Sequence, residues 1–202
     1  MTQFTPTPFT KIHTLRWQIA DDKGQPIQQV TMRTLPLTQL RGFREQHGLD
    51  ADHVTETQSE VFLGAVICAA TGLTETERGR LASPDYNSLK LISKELVVNP
   101  TSVLNPTAKK DDRIQLLVSV EDPEHGVVDS YQLQPPTVKA TEIVNAAHPG
   151  FEREVQLAAI CTGLDVSTIW NLHMPDWVQL QSEVGNFLDE PAAFYPSPTS
   201  NG

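Results

Sequence analysis

The chain has 202 residues, of which 25 are acidic and 15 basic, for a formal net charge of -10. That balance argues against unspecific binding to nucleic acid or an anionic membrane, which needs clustered Lys and Arg, and no apolar stretch approaches the roughly 18 residues of a membrane span. With 39% hydrophobic residues the chain can bury a core, while 6% aromatics and 15 prolines describe a lean, loop-rich protein.

Residues 1–10 read as an extended Thr/Pro leader; the opening MTQFTPTPFT has neither the cationic flank nor the apolar run of a secretory signal. LRWQIADDKGQPIQQVTMRTLP (15–36) alternates on both sides of an acidic turn and predicts a β-hairpin, with Gly24 where positive φ is needed. Leu37, Leu40 and Phe43 share one face of a short helix over 37–46 that Gly48 ends. A longer helix runs to Thr71 and carries SEVFLGAVICAAT, apolar nearly all round and therefore central. Gly72 fits a left-handed C-cap, and Thr74 with Glu77 a capping box. Ser83-Pro84-Asp85 then starts a last helix with Tyr86, Leu89, Ile92 and Leu96 along one stripe.

The same order returns downstream. Shifted by 91, Thr71–Pro100 lies ungapped on Thr162–Pro191 with eight of thirty columns identical, where composition alone gives about two. The identities include Thr71/Thr162, Gly72/Gly163, Leu73/Leu164, Pro84/Pro175 and Asp85/Asp176, and Tyr86/Trp177 stays aromatic. Upstream, LLVSVEDPEHGVVDSYQLQPPT (116–137) repeats the hairpin about 101 residues on, with Gly126 in the place of Gly24. The second copy is therefore ten residues shorter, and the missing piece falls within EQHGLDADHVTE (45–56). The fold class expected is α+β: two tandem copies of a β-hairpin followed by about three helices. The boundaries expected are a leader 1–10, a first module 11–98, a linker 99–112, a second module 113–190 and a disordered tail 191–202. Charge divides unevenly, -1 over 1–100 against -9 over 101–202.

Chemistry is sparse. Asp85 and Asp176 are the acids preserved in both copies, but an acid after Pro at the first helical position is favoured by the helix dipole and free amides, so both read as capping residues. His47, Asp50, Asp52 and His53 crowd one loop without a compact zinc spacing and read as solvated. His125 beside Glu124 reads as turn chemistry, and His13, His148 and His173 have no partner pattern. Cys68 and Cys161 fall in non-equivalent columns and read as buried reduced thiols. Trp17, Trp170 and Trp177 read as core or groove aromatics; Trp170 faces Gly79 in the first copy and so either meets an interface or fills a gap. No catalytic, cofactor-binding or metal site is expected.

The paired blocks resemble one module of the phage tail assembly chaperone family of Mu-like and P2-like phages, here in tandem. TMRTLP (31–36) and YQLQPPT (131–137) stand for the segment that leaves the hairpin. Thr71-Gly72-Leu73 and Thr162-Gly163-Leu164 stand for the step that ends the apolar helix. Leu81 through Pro84-Asp85-Tyr86 to Leu89, and Leu172 through Pro175-Asp176-Trp177 to Leu180, stand for the closing helix. The resemblance implies a non-catalytic, cofactor-free protein of the bacterial host cytoplasm. It would cover the tape measure protein, recruit tail tube protein and leave before the virion matures. A structural tail component retained in the particle, at the terminus or baseplate, is the alternative; self-association is left open, since the fusion either replaces a homodimer or lets fused pairs associate further.

Overall fold

The hairpin expected over 15–36 is present, its first strand starting five residues earlier than read. β1 (Thr10–Ala20) and β2 (Pro26–Arg33) pair antiparallel through a turn in which Gly24 has φ 80°. The computed structural model describes residues 5–49, 55–107, 109–110, 113–189 and 191; the leader's first four residues and most of the tail lie outside them. Helices α1 (Leu37–Gln46), α2 (Glu56–Thr71), α3 (Glu75–Gly79) and α4 (Ser83–Val98) follow the hairpin. A short helix, α5 (Thr101–Leu104), lies in the stretch read as linker and packs on the last helix of the chain.

The second copy repeats this plan. β3 (Lys109–Lys110) adds to the outer edge of β4 (Arg113–Asp122), which pairs with β5 (Gly126–Tyr131) around Gly126 at φ 71°. Then come α6 (Val138–Ala147), α7 (Gly150–Thr162), α8 (Val166–Asn171) and α9 (Met174–Asp189). α1 and α6 start 101 residues apart; α3 and α8, and α4 and α9, start 91 apart. Of the ten residues lost, seven come from the connection before the second helix and three from that helix. The α+β architecture of two hairpins, each followed by helices, is thus as expected. Each copy also has a fourth, one-turn helix, α3 or α8, where a loop was expected.

The caps show why the repeated residues persist. Thr71 and Thr162 donate their hydroxyls back to the carbonyls of Ile67 and Ala158 and accept from the amides of Leu73 and Leu164. Gly72 and Gly163 turn the chain at φ 79° and 70°, a region only glycine enters freely. Thr74 and Glu77 form the predicted capping box, and Asp165 caps α8 through the amide of Ser167. At the start of α4, Ala82 and not Ser83 is the cap residue, and no side chain caps it.

Each copy has its own core. The first gathers Met32, Ile67, Leu89 and Leu96 between β2, α2 and α4. The second gathers Val155, Ile169, Leu172, Trp177 and Leu180. The cores are not separate bodies: Leu37 of α1 belongs to the second, and Met174 touches both. The central helix is less buried than its composition implied, because α2 leaves Val61 half exposed.

Candidate functional site

The bulges in the two hairpins organise the acids repeated in both copies. The register between strands breaks between Thr14 and Ile19 in the first hairpin and between Gln115 and Val120 in the second. A bulge frees consecutive backbone amides from the ladder. In the first copy Arg16 and Trp17 donate theirs to Asp85 Oδ1 and Oδ2, both at 3.0 Å. In the second, 101 residues on, Leu117 and Val118 donate to Asp176 Oδ1 and Oδ2 at 2.6 and 3.2 Å. The acids stand in the first turns of α4 and α9, as read from the sequence, but their carboxylates do not cap those helices. They clamp each hairpin to its last helix across the core. The sequence reading missed this because the donor groups are backbone amides, which carry no residue-type signal.

The third donor differs. His13 Nε2 lies 3.2 Å from Asp85 Oδ1, and its equivalent in the second copy is the core residue Ile114. Thr101 of α5 takes over there, donating its hydroxyl to Asp176 Oδ1 at 2.6 Å. Burial raises the Asp85 carboxyl, but the two amides and the imidazole outweigh it and hold the group below its usual range. Burial of Asp176 wins against Thr101 and the two amides and pushes it up to about 6. Near Asp176 the Tyr131 phenol is raised by burial and by the charges of Asp176 and Glu183, which keeps it neutral.

A second buried carboxylate per copy joins the hairpin turn to the one-turn helix, from opposite sides. In the first copy Glu77 of α3 accepts from the amides of Asp22 and Thr74. In the second, Thr168 occupies the Glu77 position, and the carboxylate comes from the hairpin. Asp122 accepts from the Asp165 amide at 2.9 Å and the Thr168 hydroxyl at 2.8 Å. Its other oxygen takes the amides of Glu124 and His125 and the His125 ring. Burial opposes ionisation of Asp122, but these donors hold it well below the carboxylate range. His125 is therefore turn chemistry, as read.

The joint between the copies brings in residues with no sequence pattern. Pro36 and His173 form an isolated antiparallel bridge, with Leu37 N–H donating to Leu172 O at 2.9 Å and Met174 N–H to Leu35 O at 3.0 Å. His173, 6% exposed, sets Nδ1 2.7 Å from Thr34 Oγ1. Burial drives its pKa down to about 4 against a hydrogen bond to the Thr34 backbone, with Arg33 pushing the same way as burial. Arg41 of α1 stacks over Trp170 of α8 at 4.6 Å and lies 3.6 Å from Glu152. Trp170 is thus an interface residue, the first of its two readings. Trp177 is core, packed on Phe151 at 5.3 Å, whereas Trp17 is half exposed on β1, unlike the core or groove place read for it.

Cys161 is buried as expected; Cys68 is only partly so, its Sγ donating to Glu75 Oε1 at 3.4 Å. Burial raises both thiols to about 11, so neither is an activated nucleophile. His47 ends α1, while Asp50, Asp52 and His53 lie outside the described residues. Among the described residues no three His, Cys, Asp or Glu side chains gather as a metal site. A polar groove of about 360 Å³ runs along β5 past Arg113, Asp129, Gln134 and Thr162. No protein-family model matches the chain, and no curated protein or solved structure matches it.

Proposed function

We propose that the protein is a non-catalytic phage tail assembly chaperone that covers the tape measure protein and recruits tail tube subunits while the tail is built. The observation that carries this reading is the repeat: Thr-Gly-Leu and Pro-Asp-aromatic, the motifs that carry the resemblance, take the same structural roles in both copies. Asp85 and Asp176 spend their carboxylates on backbone amides of their own hairpins, which favours a binding role over acid/base work.

A tape measure helix exposes apolar stripes that aggregate unless covered. This chain offers apolar side chains to solvent in both copies, among them Trp17 on β1, Leu91 on α4, Val127 on β5 and Ile143 on α6. The excess negative charge of the second half would speed encounter with basic segments of a client.

The test is co-expression with the long helical tape measure protein of the same phage. The client should turn soluble and be retained on the tagged chaperone, and the protein should be missing from purified virions. A client that stays insoluble and unbound would overturn the reading. Stoichiometric recovery from virions would instead make the chain a structural tail component. Association rates that ignore moderate salt would remove the steering argument alone.

A further inference from the structure

The joint between the two copies is used in one direction only. The first copy contributes the exit from its hairpin, Leu35 to Leu37, and Arg41 one turn further on. The second contributes Trp170 and the turn Leu172–Met174 that leads into α9. A two-fold arrangement would also seat the exit of the second hairpin on the equivalent turn of the first copy. That does not occur. Val138, the counterpart of Leu37, is 76% exposed, with Thr137 and Glu142 exposed around it. On the first copy the counterparts of Trp170, Asn171 and Met174 are Gly79, Arg80 and Ser83, all exposed. Among the described residues no hydrogen bond reaches the amide of Val138 or of Ser83, the counterparts of the two amides that make the joint. A heterologous contact with both unused halves open on one chain is one that further copies can continue.

The unused halves match each other. The Thr34–His173 pair, one hydrogen bond in the joint, becomes Pro135 and Ala82, so both polar partners vanish together and neither is left unsatisfied. Arg41, which meets Trp170 and Glu152, becomes Glu142, while Asn171 becomes Arg80, 40% exposed as it pairs with Asp22. Leu37 becomes Val138, smaller but still apolar. The polar pair is thus lost from both sides at once, and an acid on the donor face accompanies a base on the acceptor turn.

We propose that a second copy of this chain docks here: the start of α6 on one molecule seats on the α3–α4 turn of the next, repeating the internal joint. The result is open, concentration-dependent, head-to-tail association, weaker than the internal joint because the cation–π stack is absent. This does not rest on the tail-chaperone reading and needs no client.

Sedimentation velocity of the full chain over a range of concentrations tests it. The wild-type average mass should rise with concentration past that of two chains. Val138→Asp spoils the donor face alone. Gly79→Glu spoils the acceptor face alone, and a Cβ at Gly79 meets nothing within 4 Å, so the fold should survive. Each variant by itself should stay a single chain with a wild-type circular dichroism spectrum. Mixed one to one, they should give a two-chain species and nothing larger, because one intact donor meets one intact acceptor. Glu142→Lys, exposed on α6, is the milder probe and should weaken wild-type association several-fold. The proposal is overturned if the wild type stays monomeric to millimolar concentration. It is equally overturned if both surface variants associate like the wild type, or if the mixture stays monomeric.

Discussion

Asp85 and Asp176 stand 91 residues apart and take the same two amides from their own hairpins, yet their carboxyls are driven in opposite directions. The cause is burial first, which wins at Asp176 and is outweighed at Asp85, and the third partner second. Asp85 has an imidazole beside it, while Asp176 has a neutral hydroxyl and deeper surroundings. Duplication preserved the clamp, and the material around each copy then decided its cost.

Substituting either acid by Asn tests the clamp. An amide keeps one acceptor oxygen but turns an NH2 group toward a backbone N–H, leaving that donor unsatisfied. Each change should destabilise the protein by about 1–3 kcal/mol, Asp85→Asn the more at neutral pH, where its donors hold the Asp85 carboxylate ionised while burial opposes the charge of Asp176. Urea midpoints at neutral pH measure both. Client binding per folded molecule should be unchanged; a variant that folds as well as the wild type but no longer binds would make the aspartates part of the client site.

The exchanged carboxylates predict an asymmetry between the turns. Asp122 serves its own turn and the start of α8 at once, whereas Asp21 serves only the amides of Lys23 and Gln25 because Glu77 does the other work. Asp122→Asn should therefore cost about 2–3 kcal/mol and Asp21→Asn about 1 kcal/mol or less. Equal losses in urea unfolding would mean the two turns are wired alike.

Glycine at the helix ends gives a cleaner measurement. A Cβ at Gly72 or Gly163 meets nothing within 4 Å, so the cost of Ala there is backbone strain at positive φ alone. Each change should cost about 1 kcal/mol, and the double variant the sum, since the two sites lie in different copies. A thermal melt on the three proteins decides it.

The elements legible in the sequence are those specified by local rules. The turn glycines, the Thr-Gly-Leu caps, the Thr74–Glu77 capping box and the apolar stripe of α4 all act within a few residues. The two offsets of 101 and 91 also foretold which strand amides face which acid, once the bulges are known. What escaped the sequence acts over distance. His173 looked isolated because its partner, Thr34, is 139 residues away. Thr101 sits in a stretch that proline content marked as linker, and its contact with α9 is purely tertiary. Trp17 reads as core by type, yet it lies on an outward position of a strand whose phase the bulge resets.

The joint should respond to acid. His173 has its pKa lowered from 6.5 to about 4, so the unfolded chain binds a proton that the folded one refuses between those values. Stability from this group is present above pH 6.5 and is lost as pH falls toward 4, by up to about 3 kcal/mol. Asp176 runs the other way. Its raised pKa gives a contribution present below its ordinary value of 3.8 and lost as pH rises through about 6. In wild type the two oppose each other between pH 4 and 6. His173→Gln should remove the first, leaving stability that increases from pH 6.5 to 4.5; Asp176→Asn should remove the second and steepen the acid loss. Urea midpoints at the two pH values, with parallel slopes in both variants, would contradict the assignment.

Leu37 gives the sharpest test that the two copies form one folding unit. It is numbered in the first copy, starts the helix that follows the first hairpin, and buries its side chain at 4% exposure in the core of the second. Truncation to Ala leaves a cavity beside the second core's residues, at a cost of about 2–4 kcal/mol. If the joint couples the cores, hydrogen exchange should speed up in α7 and α9, more than 100 residues away in sequence. Exchange in β1 and β2 should change less, because Leu40 and Met32 still hold α1 and the hairpin to the first core. Faster exchange confined to the first copy would mean that Leu37 stabilises only its own module and that the joint is a surface contact.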